Sequence, residues 1–244
     1  MKKMRLDKML SEMGVDSRSA LKEQIRGGRV TVNGTAVRKP EFRVDAFSDQ
    51  VAVNGERIEY EEFQYFMLNK PQGVVTASRD RYQKTVMDLL PSRRRQDLSP
   101  VGRLDKDTEG LLLITNDGVL SHRLLAPGRH VPKEYYAVID GRVGSEDQHA
   151  FQEGLDIGDG TPTLPAELFI LEEGGISRVI VTIQEGRFHQ IKRMFEALDK
   201  RVTFLKRLSM GPLKLDESLK PGESRRLSGT ELRELMKLKN AAVR

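Results

Sequence analysis

The run Leu111-Leu112-Leu113-Ile114 limits what this chain can fold into more than any other stretch. Four consecutive apolar residues bounded by polar turns read as a strand buried in a sheet. The run follows at once on Gly102-Arg103-Leu104-Asp105-Lys106-Asp107-Thr108-Glu109-Gly110 and leads into Thr115-Asn116-Asp117-Gly118. A dense polar loop is thus wedged against a buried strand, which is where a rigid scaffold presents chemistry. Further strands are expected at 63–69, 134–139, 166–171, 178–184 and 202–208, the segment Arg178-Val179-Ile180-Val181-Thr182-Ile183 being β-rich in composition. One helix is expected at 188–198, with Phe188, Ile191, Met194, Phe195 and Leu198 as its apolar stripe. Another closes the chain at 228–240, capped by Ser228 or Thr230. Strands outnumber helices and do not alternate regularly with them, so the fold class is α+β rather than a doubly wound sheet.

The first sixty residues have a different texture. Leu6, Met9, Leu10 and Met13, and then Ala20, Leu21, Gln24 and Ile25, follow helical spacing. The turn Gly14-Val15-Asp16-Ser17 separates the two helices, with Ser17 as N-cap, and Gly27-Gly28 ends the second. Val30-Thr31-Val32-Asn33-Gly34 and Val51-Ala52-Val53-Asn54-Gly55 each read as a strand entering a tight Asn-Gly turn. This gives a small module at 1–58, an acidic connector at 59–62 (Glu59-Tyr60-Glu61-Glu62), and a larger domain at 63–244.

Charge separates the same two parts. Residues 1–58 carry 12 Lys/Arg against 8 Asp/Glu; the other 186 carry 29 against 28. A basic module beside a nearly neutral domain suggests a grip on a polyanion. There is no cysteine, so no disulfide framework, thiolate metal site or cysteine nucleophile, in accord with a reducing cytoplasm. No apolar stretch approaches the ~20 residues of a membrane helix, and no apolar run follows Lys2, Lys3 and Arg5 as a secretory signal requires.

Asp105 is the best catalytic candidate, a carboxylate directly after an apolar residue in the polar loop. The loop begins like a calcium site, but its twelfth position is Asn116 instead of a bidentate Glu, and a buried strand intervenes. The histidines, His122, His130, His149 and His189, lack paired spacing, so no metal site is expected. A carboxylate can otherwise serve as general base or covalent nucleophile. A nucleophile must stay ionised, which a nearby cation favours, and Lys192 on the polar face of the 188–198 helix could supply it. Arg93-Arg94-Arg95 reads as a mobile loop after Pro91-Ser92 with polyanion contact as a secondary role; Lys200-Arg201 and Lys206-Arg207 are weaker candidates for such contact.

These residues resemble a known family. Gly102-Arg103-Leu104-Asp105, with Asp107-Thr108-x-Gly110-Leu111-Leu112, is similar to the signature loop of the pseudouridine synthases. Phe66-Met67-Leu68-Asn69-Lys70-Pro71-x-Gly73, Lys133-x-Tyr135 and Glu185-Gly186-Arg187-Phe188-His189-Gln190-Ile191-Lys192-Arg193-Met194-Phe195 resemble its other motifs, in the family's order. Arg5-Leu6-Asp7-Lys8, Ser17-Arg18 and Val30-x-Val32-Asn33-Gly34 resemble the αL RNA-binding module of a ribosomal small-subunit protein. That module ahead of this domain is typical of the RsuA-type branch. The resemblance implies an αL module followed by a mixed, largely antiparallel-sheet catalytic domain.

The implied function is an rRNA pseudouridine synthase, closest to enzymes modifying uridine 516 of 16S rRNA. The branch also includes 23S rRNA enzymes, and a non-catalytic RNA-binding or ribosome-assembly factor is the competing reading. Asp105 would be the nucleophile, attacking either the ribose anomeric carbon or the uracil ring. Tyr135 would pack under the uracil and be available to take the proton from its carbon. Tyr136, its neighbour on the strand, faces the other way. Lys192 would pair with Asp105, where relatives outside this branch place an arginine. Arg103 would fill the space left by the flipped nucleotide. Arg5, Lys8, Arg18, Arg26, Arg29, Arg187, His189 and Arg193 complete the expected RNA contacts. The expected partner is rRNA, 16S preferred, or an assembling small ribosomal subunit, met by a monomer. Isomerisation needs no redox cofactor, nucleotide or metal, and the sequence has no phosphate-binding Gly-rich motif. Taking a base out of folded RNA costs roughly a few kcal/mol, which phosphate contacts can offset.

Overall fold

The computed structural model describes residues 2–91 and 95–240. The chain forms two compact units, one reaching to Gln64 and including Leu90–Leu98, the other formed by Tyr65–Leu89 and the residues from Ser99 onward.

In the first unit, β1 (Lys3–Arg5) leads into α1 (Leu6–Glu12) and α2 (Arg18–Arg26), followed by β2 (Val30–Val32), β3 (Thr35–Ala36), β4 (Arg43–Asp45), β5 (Val51–Val53) and β6 (Glu56–Ile58). The Ser17 hydroxyl accepts from the Ala20 amide at 3.3 Å, the expected cap. Asn33 and Gly34 (φ 51° and 80°) and Asn54 and Gly55 (50° and 83°) take the left-handed conformations of a two-residue hairpin turn. Those turns make the β2–β3 and β5–β6 hairpins, and pairing of β2 with β5 joins them in the antiparallel order β3-β2-β5-β6. Leu6, Met9, Leu10, Leu21 and Ile25 pack with Val30, Val44 and Val51 in one core. The pairing of β1 with β4 was not expected, because three-residue strands leave no readable period.

Arg95 belongs to this unit and corrects the mobile-loop reading. Its side chain is 5% exposed. It donates to the Asp97 carboxylate at 2.8 and 2.7 Å and to the Glu61 carbonyl at 2.9 Å, and it lies over the Tyr60 ring. Arg93 and Arg94 lie outside the described residues.

The second unit begins with β7 (Tyr65–Lys70), β8 (Ser99–Pro100), β9 (Glu109–Thr115), α3 (Gly118–Leu125), β10 (Lys133–Asp140) and α4 (Ser145–Glu153). It continues with β11 (Glu167–Glu172), β12 (Ile176–Ile183), α5 (Gln190–Glu196), β13 (Arg201–Met210), β14 (Leu213–Lys214), β15 (Ser224–Arg226) and α6 (Gly229–Asn240). Among the described residues these strands make one nine-stranded sheet of order β11-β12-β10-β13-β9-β7-β15, with β14 on β13 and β8 on β9. Of these strand pairings only β9–β13 is parallel. The α+β expectation holds, and Leu111–Ile114 are fully buried in mid-sheet.

Alternation along β10 puts Tyr135, Ala137 and Ile139 on the buried face. Tyr136 lies on the other, edge-on to Phe204 with ring centroids 6.1 Å apart. Two helices were not expected. In α3 only Leu120 and Leu124 are buried, and in α4 only Asp147 and Phe151, too few for a period. The α5 helix is shorter than its stripe suggested. His189 is left-handed (φ 49°), which stops the helix before Phe188. Ile191, Met194 and Phe195 are buried, whereas Phe188 is 69% exposed.

Candidate active site

The polar loop is held by its own backbone. Lys70, at the end of β7, is fully buried. Its ammonium donates to the carbonyls of Pro71 (3.0 Å), Asp105 (2.9 Å), Lys106 (3.4 Å) and Thr108 (2.9 Å). Burial pushes its pKa down to about 8, against the pull of Asp105, Asp107 and Glu109. Thr76 accepts from the Leu104 amide (3.3 Å) and donates to its carbonyl (2.7 Å). Gly110 closes the loop at φ 103°, where an added Cβ would stand 2.2 Å from the Arg207 carbonyl oxygen, so only glycine fits. Asp105 is thus presented on a preorganised backbone.

Its carboxylate is 29% exposed between two side chains from the start of α5. His189 Nε2 is 3.4 Å from Oδ1 and Lys192 Nζ is 3.3 Å from Oδ2. Lys192 also bonds Asp107 Oδ1 at 2.6 Å. That bond holds the Asp107 carboxyl below its usual range. The expected Asp105–Lys192 pairing is present, but one ammonium serves two carboxylates.

Asp105, Arg103, Tyr135, Arg187, His189 and Lys192 line one cleft with a volume of about 90 Å³. Leu104, Ile183, Ile191 and Leu205 form its apolar side. Tyr135 is 7% exposed, while Arg103 stands in solvent. The cleft thus sets a carboxylate beside an ammonium, with an aromatic ring in its lining.

Two of the expected RNA contacts hold this protein's own chain. Arg187 donates to the Thr161 and Pro162 carbonyls at 2.8 and 2.7 Å and pairs with Glu185 at 3.1 Å. Arg193 pairs with Asp159 and bonds the carbonyls of Ile157 and Phe188. In the first unit Arg5 is bidentate to the buried Asp7 (3.0 and 2.9 Å), and Lys8 lies 3.7 Å from Glu12. Arg18, Arg26 and Arg29 are exposed. Arg207 is 2% exposed and donates to the Leu111 carbonyl at 2.8 Å, so it packs the sheet and is no surface RNA contact. Thr76 and the bracing role of Lys70 were missed. A lysine ending the apolar strand Phe66-Met67-Leu68 was the available signal, because such a charge needs buried acceptors.

Residues 64–197, which include all of the cleft lining except Leu205, match the family model of RNA pseudouridylate synthases. The chain belongs to the RNA pseudouridine synthase family. Its members are isomerases that convert uridine to pseudouridine in RNA. Residues 4–51 match the S4 domain. An uncharacterized RNA pseudouridine synthase of Bacillus subtilis is 45% identical, covering 94% of this chain and 97% of that protein. The ribosomal small subunit pseudouridine synthase A of Haemophilus influenzae is 39% identical over 96% of this chain and all of its own length. A crystal structure of a pseudouridylate synthase aligns over 95% of this chain and 99% of its own, with a TM-score of 0.67 and 39% identity. The synthase is of the RsuA type, an S4 module ahead of the catalytic domain. Among its described residues no helix is long and apolar enough to cross a membrane.

Proposed function

We propose that this synthase isomerises a uridine of the small-subunit rRNA, uridine 516 of 16S rRNA being the closest reading, with Asp105 as nucleophile. The observation that carries the catalytic part is the Asp105 carboxylate, reachable from the cleft yet flanked by His189 and Lys192. Lys192 places an ammonium 3.3 Å from that carboxylate, and a carboxylate can act as a covalent nucleophile. The glycosidic C–N bond breaks, the base turns and a C–C bond forms in its place; the bond made by Asp105 is broken again, and the proton lost from the ring carbon is balanced by one taken up at the freed ring nitrogen. Tyr135 supplies the wall under the uracil and stands ready for that proton. Arg103, exposed beside the carboxylate, enters the stack the uridine leaves. The likeness to the small-subunit synthase of Haemophilus influenzae supports the 16S target.

Residues 1–58 grip the RNA phosphates through Arg18, Arg26 and Arg29, with Arg5 and Lys8 contributing beside their acidic partners. Residues 63–244 carry the reaction, joined through 59–62. The protein is proposed to act as a monomer. Its place of action is the cytoplasm, on rRNA or an assembling small subunit.

The Asp105→Asn variant tests the assignment. It should bind 16S transcript within a few-fold of the unaltered protein and release no tritium from transcript labelled at uracil C5. Turnover in that variant would remove Asp105 from the nucleophile's role. Mapping pseudouridine in rRNA from cells with and without the protein tests the target.

A further inference from the structure

Phe188 is a large apolar side chain beside the site that turns outward. The aliphatic residues of the cleft, Leu104, Ile183, Ile191 and Leu205, are all 6% exposed or less, whereas Phe188 is 69% exposed. Solvent should disfavour so open a ring. Yet it is not loose. It stacks on His189, ring centroids 3.8 Å apart and planes 17° from parallel. Its carbonyl accepts from Arg193 at 3.0 Å. The turn beneath is tied by Gln190, which accepts from the Arg187 amide (3.0 Å) and donates to Glu185 (3.0 Å). His189 takes a left-handed backbone there, unusual for a residue with a side chain and a form of local strain that concentrates at functional sites.

The order of groups is therefore Asp105 carboxylate, His189 ring, Phe188 ring, solvent. We infer that the outer face of Phe188 is a stacking platform for an RNA base that stays outside the cleft while the target uridine enters it. This rests on the cleft being the uridine site. A flat π-face suits any base, so the platform would add affinity with little sequence preference. Its surroundings favour a nucleic acid over an apolar protein surface. Arg103 stands exposed in the same cleft lining, and the cleft's other apolar groups are hidden.

The chain contains no tryptophan, so Phe188→Trp installs a single reporter of stacking. Its emission should be quenched saturably by 16S rRNA transcript and left unchanged by heparin, a polyanion without bases. In kinetics, Phe188→Ala and Phe188→Leu should both raise KM roughly tenfold, as loss of one stacked base predicts. Their kcat should fall much less, since the contact is made before and during the reaction alike. Phe188→Tyr should restore most of the lost kcat/KM. Transcript binding, read by anisotropy of labelled RNA, with the emission of the Phe188→Trp variant unchanged would overturn the platform and leave the uridine site standing. A fall in kcat with unaltered KM for the Ala and Leu variants would also overturn it, making Phe188 only a support for His189. Absence of any transcript binding would overturn both.

Discussion

Lys70 shows how much of this site is decided one residue at a time. A buried ammonium is costly unless its protons find acceptors, and here four loop carbonyls provide them. The residue thus sets the backbone that carries Asp105 without touching its carboxylate. Lys70→Met, close in length and apolar, would leave the Thr108 carbonyl without this donor, while the Asp105 carbonyl would keep the Thr108 amide. Such a loss costs about 1–3 kcal/mol. Chemical denaturation should show destabilisation of that order, and tritium release should drop with RNA affinity largely kept. A variant as active and as stable as the original would mean that the loop holds its shape unaided. Gly110 acts from the other end of the loop, where its missing Cβ admits the backbone of Arg207.

At the scale of elements, β15 and the start of α6 are tied together by one arginine. Arg225 in β15 bonds Asp216 at 2.6 Å and both oxygens of Glu231 in the first turn of α6, at 2.9 and 2.8 Å. Glu231 also accepts from the Ser228 amide at 2.7 Å while Ser228 accepts from the Glu231 amide at 3.3 Å, a reciprocal cap. The bonds from Ser218 and Arg225 hold Asp216 down at about 2, and Arg225 and Ser228 hold Glu231 at about 2. Unfolded carboxylates titrate near 4. The unfolded chain therefore binds more protons between about pH 4.5 and 2, and stability from these groups, complete above that window, is lost as pH falls through it. Arg225→Met should melt lower than the original at pH 7, and the gap between the two should close as pH drops from about 4.5 to 2. A constant gap across that range would place the arginine's effect in packing instead of charge. The segment before α5 is the contrasting case. A stripe of period 3.6 predicted a helix from Phe188, and the left-handed His189 begins it two residues later.

Over the whole molecule, charge is unevenly divided. The first 58 residues hold most of the excess positive charge, and Arg18, Arg26 and Arg29 on its surface are exposed. Each phosphate contact on structured RNA adds about 0.7–0.9 to the slope of log affinity against log salt. Replacing all three arginines by glutamine should flatten that slope by roughly two to three. Filter binding to 16S transcript between about 50 and 200 mM salt would measure it, the range over which such contacts show. An unchanged slope would move the phosphate grip to another surface.

Much of this was readable along the chain. The Asn33-Gly34 and Asn54-Gly55 turns, the Ser17 and Ser228 caps and the β9 and β10 strands follow from backbone preferences acting over a few residues. Asp105 was singled out as a candidate on a local pattern, a carboxylate between a leucine and a polar turn, and the resemblance added Tyr135 and Lys192; the fold brings the three to one cleft. The helices α3 and α4 were not readable, being too short to show a period. Nor was the fate of the charges. Arg95 and Arg207 look like surface residues in one dimension and are buried in three, each because carbonyls or carboxylates from distant segments meet it. Tertiary structure alone decided that Lys192 divides itself between Asp105 and Asp107, and that Phe188 stands open beside His189. Turn and strand preferences are properties of neighbours along the backbone. Burial and pairing of charge belong to residues many tens of positions apart, and only the folded chain brings those together.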